Sequence, residues 1–522
     1  MVFSQSKSPG LRPWLFALLL LLVTIALRAP AIPWPALEED EATHFTAAVI
    51  MAQGGTPYLD IADGKTPLFW YILGTVAKIV GPWNVLGIRA VTCLMMWATT
   101  LLLWQLGRIV ASDRAGRWGA LCLALFSTTA SYKILSTNYE LYHLPWDLLA
   151  WVALAYAIWR AKPAWGLLAG AAIATAFFIK QTAGMTLATQ GALIAIGYWR
   201  QPHERRTYAL TGLAVCAGFF GTCAMFWWWM VQAGIAAEMK FWSWDYAWIL
   251  THSSQGALGW QRFLVRTPLW IVATLPVHVW AVRRIWQQRQ TPGALDRTTL
   301  WLFTWIAFAW FPISLGGRYP MHYFLVNLPP LCLLAGQWLA PKFSLENFCS
   351  AGPARARMWR LTSLLGIPLT MWIVNWNVAF ANSLAKLPRA DHTKLARRID
   401  AETAPTDRIF VWGHNPEFYL YAQRLPATRL LICDFLTGRH SIPSTSMPNL
   451  RDYDAMIVPG AWDMVFADFA RHPPQLIIDT SPADLHDYRV FPMARYPRLR
   501  TYVDANYHLG WTEDGVLFYV RN

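Results

Sequence analysis

Four acidic side chains in a row, Glu38-Glu39-Asp40-Glu41, follow directly on a long apolar run. Such a cluster is unusual because only 14% of the residues are charged. A carboxylate held within hydrogen-bond reach of an attacking hydroxyl can take its proton, which accelerates a reaction by about 10²–10⁴-fold. We therefore expect chemistry at this stretch, with one of the acids, Asp40 among them, as a general base.

The acidic cluster could also serve a purely structural role or bind a metal ion. Acidic residues in the first turn of a helix are stabilised by the backbone N–H groups there, which would account for two or three of the four. Clustered carboxylates also suit Mg²⁺, Ca²⁺ or Mn²⁺, and Glu140 in a later loop could add a ligand. No cofactor is firmly indicated, and a divalent cation stays open.

A single lysine, Lys65, follows the acidic cluster in a loop that also contains Asp60 and Asp63. A surface ion pair with one of these acids would contribute little. An ammonium group that faces a phosphate is a common alternative role of lysine. Because Pro57, Gly64 and Pro67 restrict the loop backbone, we favour the phosphate role.

A second cationic loop, Gly316 to Tyr323, contains Arg318, His322 and Tyr323 at one end of an apolar run. These donors suit an anionic lipid phosphate, including a leaving group that gains charge in the transition state. They could instead anchor the chain at a membrane surface. Lys180 lies at the end of an earlier apolar run. Snorkelling of its ammonium group to the membrane surface is sufficient to explain a lysine at that position.

The composition excludes an ordinary soluble protein. Of 522 residues, 55% are hydrophobic and 32 are Trp, and the mean hydropathy is +0.29, which is too apolar for a typical soluble enzyme. The net charge of +14 comes from small clusters between apolar runs, so a nucleic-acid-binding stripe is not indicated. Seven Cys without a CxxC pair support neither a disulfide framework nor a zinc site.

Apolar runs of roughly 20 residues predict about eleven transmembrane helices. The predicted spans lie near residues 13–33, 84–107, 115–132, 142–159, 164–180, 183–199, 208–233, 262–283, 299–315, 323–340 and 359–380. The first could be a signal peptide, since Ala29-Pro30-Ala31 resembles a cleavage site.

Basic residues concentrate in every second connection between the predicted spans. By the positive-inside rule these connections face the cytoplasm. We therefore predict a multi-pass protein of the inner (plasma) membrane whose N-terminus is cytoplasmic. The four intervening connections, 34–83, 133–141, 234–261 and 316–322, would share the other face with everything after residue 381.

The fold class predicted is a polytopic α-helical membrane protein with a small C-terminal α/β domain. We place the membrane domain at 1–388, with the first outer loop at 34–83, and the extracytoplasmic domain at 389–522, a normal domain size. In the outer loop, 42–53 and 66–80 are predicted as helices at the membrane interface, as is the aromatic-rich segment 234–250. In the outer domain, strands are predicted at 408–412, 455–458 and 475–479, and helices at 394–402, 416–423 and 461–471.

Taken in order, these pieces resemble the bacterial polytopic glycosyltransferases of the GT-C type, in the branch of the protein O-mannosyltransferases and the lipid A aminoarabinose transferase. The resemblance covers nearly the whole chain. It rests on Asp40-Glu41, Gly54-Gly-Thr-Pro-Tyr58, Lys65-Thr-Pro67, Arg89, Glu140, Phe178-Ile-Lys-Gln181, His322-Tyr-Phe-Leu325, Pro329-Pro330, Val411-Trp-Gly-His-Asn-Pro416 and Pro426-Ala-Thr-Arg429.

The resemblance implies transfer of a sugar from a polyprenyl-phosphate carrier to an envelope lipid, glycan or protein outside the cytoplasm. It implies Asp40 as the catalytic carboxylate, Glu41 as its support and Glu140 as a second acid. The implied binding residues for the donor phosphate or substrate are Lys65, Tyr58, Arg318, His322 and Tyr323.

A membrane transporter or lipid flippase is the main alternative function, and a scaffolding protein is a third. A transporter is expected to place ionisable residues near the middle of its spans and to show internal repeats. The unusual polar residues gather at one face instead, which favours the transferase. The sequence names neither the sugar nor the acceptor, and it does not fix which acid of 38–41 is the base.

Overall fold

Helices form wherever the sequence is continuously apolar, and they fill the first part of the chain. This computed structural model describes residues 11–34, 36–248, 259–290, 296–343, 353–385, 392–439 and 450–522. The helices of the first part are α1 Pro13–Arg28, α2 Glu39–Ala52, α3 Leu68–Val80, α4 Val85–Val110, α5 Asp113–Phe126, α6 Tyr139–Trp159, α7 Trp165–Ile179, α8 Met185–Arg200, α9 Arg205–Gln232, α10 Ala236–Lys240, α11 Gly259–Ala273, α12 Leu275–Arg289, α13 Arg297–Ser314, α14 Leu328–Leu339 and α15 Ala354–Ala385.

Each of the eleven predicted spans coincides with a helix, but one of them is broken. Helices α11 and α12 meet at an angle of 83°, where the sequence predicted one straight span at 262–283. The break lies at Thr274, whose backbone is not helical (φ −120°, ψ 20°). Pro276 has no N–H group to donate to the carbonyl oxygen of Val272, and its ring crowds that turn, which explains the bend.

The described residues contain five helices that are long and apolar enough to cross a membrane, or six if the bent pair counts as one span. Others, such as α3 and α7, are apolar but shorter. The architecture is therefore polytopic, and the count of eleven spans stays a prediction.

Two glycines allow helices α7 and α9 to lie very close together. A Cβ atom at Gly170 would lie 2.0 Å from the carbonyl oxygen of Val215, and one at Gly218 would lie 2.1 Å from that of Leu167. Both distances are too short for real atoms, and both obstacles are backbone. Small residues at such crossings let helix backbones approach within a membrane.

Helix α2, which begins with the acidic cluster, is enclosed by protein. All its residues from Glu41 to Met51 except Thr43 are buried, so it does not lie freely along a membrane surface as the sequence suggested. In the segment after α9, Trp242 and Tyr246 are buried and contact Phe435 of the outer domain. Trp244 and Trp248 are exposed, as expected for anchors.

The C-terminal domain, named the outer domain after its predicted side of the membrane, is built on one five-stranded sheet. Its strands are β1 Arg408–Trp412, β2 Leu425–Pro426, β3 Leu476–Asp479, β4 Tyr507–Glu513 and β5 Val516–Arg521, in the order β2-β1-β3-β5-β4. The first three strands are parallel, and β5 pairs antiparallel with both β3 and β4. The helices are α16 His392–Glu402, α17 Glu417–Ala422, α18 Asp434–Thr437, α19 Leu450–Asp454, α20 Ala461–Arg471 and α21 Pro497–Asn506.

The α/β character and two of the three predicted strands of this domain are confirmed. The prediction of a strand at 455–458 is wrong, because this run follows α19 as a turn that leads into α20. The sequence analysis did not identify the hairpin of β4 and β5. Its alternation of exposed and buried residues is interrupted by a register shift between Leu509 and Trp511.

The close approach of α7 and α9 predicts an effect of adding one methyl group. We expect Gly170→Ala and Gly218→Ala each to destabilise the protein by about 1–3 kcal/mol, because the added Cβ overlaps backbone that cannot rotate away. Gly221→Ala in the same helix α9 is the matched control, since a Cβ there meets nothing within 4 Å. Thermal unfolding in detergent measures the difference, and equal midpoints for Gly218→Ala and Gly221→Ala would contradict it.

Candidate active site

The carboxylate of Glu41 is completely buried and fully bonded. It pairs with Arg89 of α4, whose Nη2 lies 2.5 Å from Oε2 and whose Nε lies 3.1 Å from Oε1. The backbone N–H groups of Leu37 and Thr137 also donate to it, at 2.8 and 2.9 Å. A carboxylate that accepts from four donors has no capacity left for chemistry. Because these donors come from the first outer loop, α4 and the second outer loop, Glu41 links the three segments.

Arg89 completes this junction. Its Nη1 donates to the carbonyl oxygens of Ala31 and Trp34, at 2.6 and 2.5 Å. Both carbonyls lie in the chain that leads into α2. One guanidinium therefore fixes the approach to the helix as well as its first turn.

The two acids before Asp40 also have ion-pair partners within the protein. Lys133 Nζ lies 3.0 Å from Glu38 Oε2, and Ser136 Oγ donates to Glu38 Oε1 at 2.6 Å. Glu39 lies 3.8 Å from the same Lys133 and 3.5 Å from His486 Nδ1 of the outer domain. Burial, followed by the nearby charge of Asp40, raises the pKa of Glu38 to about 7 against the attraction of Lys133.

Asp40 differs from its three neighbours. Within the part of the chain that the structure describes, no side chain or backbone group forms a hydrogen bond or ion pair with its carboxylate. Its side chain is accessible to solvent although protein surrounds it. Desolvation alone would raise the pKa of Asp40, but His44, His414 and His322, in that order, hold it below its usual value, with help from Lys133. Asp40 is thus ionised at neutral pH and available to a ligand.

His44 lies one helical turn after Asp40 on α2. Its Nδ1 is 2.7 Å from the carbonyl oxygen of Thr137, and a carbonyl can only accept, so Nδ1 carries the proton. The ring is buried edge-on against Phe69 and Tyr139. The sequence analysis missed this residue, although its spacing of four from Asp40 puts both on one face of a helix.

Lys65 lies in the same outer loop, where its ammonium group is 5.8 Å from the centre of the Tyr139 ring. No ion-pair partner for it exists among the described residues. The same tyrosine donates to Asp63 at 2.6 Å. Tyr58 is fully buried, and its hydroxyl donates to the carbonyl oxygen of Lys65 at 2.7 Å. This hydrogen bond fixes the backbone of the loop that contains Lys65.

A buried ion pair forms the next part of the site. Asn138 caps α6 by accepting from the N–H of Leu141 at 3.3 Å, which sets Glu140 in the first turn. There Glu140 pairs with Lys180 at the end of α7. Lys180 is 4% exposed, so the prediction that it snorkels to the surface is wrong, since a buried carboxylate holds it inside the protein.

His322 and Tyr323 lie against this ion pair. His322 Nε2 is 3.8 Å from Glu140 Oε1, and the Lys180 ammonium group is 3.6 Å from the centre of the Tyr323 ring. Burial is the main reason that the pKa of His322 is lowered. Two loops that are distant in sequence therefore meet here.

Arg318 lies near two other arginines. The backbone around it turns through Gly316, Gly317 and Tyr319, which have φ of 75°, 62° and 46°. Arg266 stabilises the turn by donating to the carbonyl oxygens of Arg318 and Tyr319, at 3.1 and 3.2 Å. Another arginine, Arg262, lies close enough for like charges to interact. Arg318 thus has arginine neighbours, whereas the neighbours of His322 and Tyr323 are Glu140 and Lys180.

The acids of the cluster do not form a metal site with one another. Throughout the described ranges, no group of three or more His, Cys, Asp or Glu side chains has an arrangement that could hold a metal ion. Glu38, Glu39 and Glu41 are instead oriented toward cations and backbone N–H groups of the protein.

The contrast between Glu41 and Asp40 predicts that two substitutions differ in their effect on stability. Arg89→Met leaves Glu41 buried without a cation, and we expect a loss of about 3–5 kcal/mol. Asp40→Asn is the matched control: it removes a charge one residue away that has no internal partner among the described residues, so we expect a change within about 0.5 kcal/mol. Thermal unfolding in detergent distinguishes them, and a similar loss in both variants would count against the assignment.

Comparison with known proteins supports the same class of fold. Residues 64–229 match the family of dolichyl-phosphate-mannose-protein mannosyltransferases. The matched segment contains Lys65, Glu140 and Lys180 and begins after Asp40. Among curated proteins there is no significant match.

Solved structures match over almost the whole chain. ArnT from Cupriavidus metallidurans bound to undecaprenyl phosphate is 14% identical, with a TM-score of 0.60 and 97% of each chain covered. Its apo state is 15% identical, with a TM-score of 0.56 and the same coverage. The oligosaccharyltransferase AglB from Archaeoglobus fulgidus, in complex with an inhibitory peptide and a dolichol-phosphate, is 11% identical, with a TM-score of 0.55, covering 98% of this chain and 74% of the other. The shared architecture confirms the GT-C-type fold.

Proposed function

We propose that this protein transfers a sugar from a polyprenyl-phosphate carrier to an acceptor hydroxyl or phosphate on the non-cytoplasmic face of the membrane. The observation that carries the proposal is the state of Asp40. Of four adjacent acids, it alone has no internal partner within the described residues and is open to solvent, and nearby histidines with Lys133 hold its pKa below the usual value. A free carboxylate in that setting suits a general base.

The nature of the donor is supported by the structural relatives. ArnT was solved with undecaprenyl phosphate and AglB with a dolichol-phosphate. Nucleotide sugars are not expected outside the cytoplasm, so a transferase that works there needs a sugar brought on a lipid. In the proposed topology, the outer loops and the domain 389–522 lie on that side of the plasma membrane, and 1–388 form the membrane domain.

The proposed reaction is a single displacement at the anomeric carbon. Asp40 takes the proton of the acceptor hydroxyl as its oxygen bonds to that carbon; an acceptor phosphate attacks already ionised. The bond from the anomeric carbon to the carrier phosphate oxygen breaks, and the phosphate leaves with the electron pair. Attack opposite the leaving group inverts the anomeric configuration.

Polar and cationic groups of the other loops are assigned to the leaving phosphate. Lys65 has no ion-pair partner within the described residues, and its loop is held by Tyr58. Arg318, His322 and Tyr323 remain assigned to donor binding. An ammonium or guanidinium already in place costs no reorganisation when the phosphate gains charge.

Glu41 and Glu140 act through other residues in this proposal. Glu41 positions the start of α2, and Glu140 holds Lys180 beside His322 and Tyr323.

The acceptor in this proposal is an envelope lipid, a glycan or a protein. Offering the purified protein a panel of polyprenyl-phosphate sugars, with and without a chelator, identifies the donor and any metal requirement.

Loss of the base predicts loss of transfer. We expect Asp40→Asn to lower kcat by about 10²–10⁴-fold without changing membrane insertion. Asp245→Asn is the control, since that exposed acid pairs with Lys240 outside the site. Product release from a radiolabelled donor gives the rate, and the anomeric configuration of the product tests inversion. Near-normal turnover of Asp40→Asn would reject Asp40 as the base.

Loss of the free ammonium group predicts weaker donor binding. We expect Lys65→Ala to raise the donor KM by about 10–100-fold, because a hydrogen bond to a charged group contributes about 1.5–3 kcal/mol. Lys78→Ala removes an exposed lysine at the end of α3 and serves as the control. If Lys65→Ala kept both the wild-type KM and the wild-type kcat, its assignment to the phosphate would be wrong.

A further inference from the structure

A cavity of about 620 Å³ lies at the end of the membrane domain that is far from the acidic cluster. Helix α4 sets the distance between the two places. Arg89, near the start of α4, donates to Glu41, and Val110, at the end of α4, lines the cavity. A helix rises about 1.5 Å per residue, so these two positions lie roughly 30 Å apart, which is about the thickness of the hydrocarbon core of a bilayer. The cavity therefore lies at the opposite membrane surface.

Ends of several helices build this cavity. Its lining comes from the end of α4, the first turn of α5, α12, the start of α13 and the residues that end α14. One part of the lining is apolar and includes Val110, Ala115 and Ala340. Sites for small ligands typically have volumes of about 300–1,000 Å³ and combine apolar lining with a few convergent polar groups. The cavity has the size and the mixed lining of such a site.

Among the described residues that line the cavity, three are arginines and one is an acid. The acid, Asp296, lies 2.7 Å from Nη2 of Arg284 and also caps α13 by accepting from the N–H of Thr299 at 2.7 Å. Arg284 Nε donates to Gln337 at 2.9 Å. A guanidinium has five N–H donors, and these contacts use two of them. The acid is thus occupied, whereas Arg284 keeps donors for a ligand.

Arg297 is held at the cavity by residues of other helices. Its Nη2 lies 2.9 Å from Glu204 and 2.8 Å from the hydroxyl of Tyr208, near the start of α9. Its guanidinium lies 4.6 Å from the centre of the Trp159 ring. Its Nε is buried and has no hydrogen-bond partner within the described chain. A buried donor without an acceptor is costly, so an acceptor from outside the chain would stabilise this side chain.

Arg114 brings a charge that the described residues do not neutralise. It lies exposed in the first turn of α5 and forms no ion pair with any residue that the structure describes. The acid beside it, Asp113, pairs instead with Arg117 and Arg108, at 2.7 and 3.4 Å. A cation is unfavourable at the positive end of a helix, so helix stability does not explain Arg114. A bound anion would compensate both the arginine and the start of the helix.

The surroundings of the cavity are typical of a membrane surface. Trp338 of α14 lies between two further cations, with Arg283 5.5 Å and Lys342 3.8 Å from the centre of its ring. Tryptophan and basic residues are both common at headgroup depth. Basic pockets between membrane helices bind the headgroups of anionic lipids. An apolar lining beside the arginines suits a phosphate that carries acyl chains better than it suits a free phosphate ion.

We propose that this cavity binds the phosphate group of an anionic phospholipid, with Arg114, Arg284 and Arg297 as its ligands. The predicted topology makes this the cytoplasmic surface, where anionic lipids are available. One headgroup bound there would link α5, α12 and α13 through their arginines. The site is separate from the proposed transfer at Asp40 and does not depend on it.

Native mass spectrometry of the purified protein in detergent measures the Kd of the first bound lipid. The probes are dioleoylphosphatidylglycerol, zwitterionic dioleoylphosphatidylcholine and inorganic phosphate. We expect the wild type to prefer phosphatidylglycerol. Arg114→Gln is expected to weaken its binding by about fivefold, the contribution typical of one basic residue near an anionic lipid, and Arg114→Gln combined with Arg284→Gln by about 25-fold.

Two further variants serve as controls. Arg114→Lys keeps the positive charge, so we expect its Kd for phosphatidylglycerol to stay within about twofold of wild type. Arg200→Gln removes an exposed arginine at the end of α8 that does not line the cavity, and its Kd is expected to be unchanged. Because Arg114 is exposed, its replacement tests the site without disturbing the ion pair of Arg284 and Asp296.

Three results would overturn the lipid site. The first is an unchanged Kd in both Arg114→Gln and the double variant, and the second is equal affinity of the wild type for the anionic and the zwitterionic lipid. The third is displacement of phosphatidylglycerol by inorganic phosphate that itself depends on Arg114, since the ligand would then be a soluble phosphate. Absence of sugar transfer by the wild type counts against the proposed function alone, because lipid binding is measured without any donor.

Discussion

The buried pair of Glu41 and Arg89 is the interaction on which the arrangement of the site depends. It lies at the start of α2, where the first outer loop, α4 and the second outer loop meet. Two charges out of water are costly unless they are paired and fully hydrogen-bonded. Here Arg89 donates to Glu41 and to two carbonyl groups, and Glu41 accepts from two backbone N–H groups as well. Such a junction fixes the rotation of the helix about its own axis.

That rotation explains how four adjacent acids reach four different environments. Successive residues of a helix point about 100° apart because 3.6 residues make one turn. With Glu41 directed into the protein, Glu39 faces the outer domain, and Asp40 faces solvent between them. Glu38 precedes the helix and reaches Lys133 and Ser136. Among the described residues, a chemically repetitive stretch thus leaves one carboxylate, that of Asp40, unpaired through geometry alone.

Much of the fold could be predicted because apolar runs and their interruptions are local signals. All eleven apolar segments are helices, and the outer domain is α/β as its alternating pattern indicated. What could not be predicted depends on pairing between distant segments. Lys180 looks like a snorkelling lysine until Glu140, 40 residues earlier, is brought beside it. His414 and His486 become notable only when adjacent strands place them at one sheet edge, and no local pattern predicts that adjacency.

His486 lies 3.5 Å from Glu39 of α2 and 3.5 Å from Glu417 of the outer domain. This bridge limits how the architecture can vary. An outer domain joined only by a tether could be exchanged between relatives as an independent module. Here the loop of His486 contacts one particular carboxylate, that of Glu39 on α2. Such a domain can be exchanged only together with that helix. Recombination within this fold would therefore preserve the first outer loop and the two parallel-strand loops as one inherited unit.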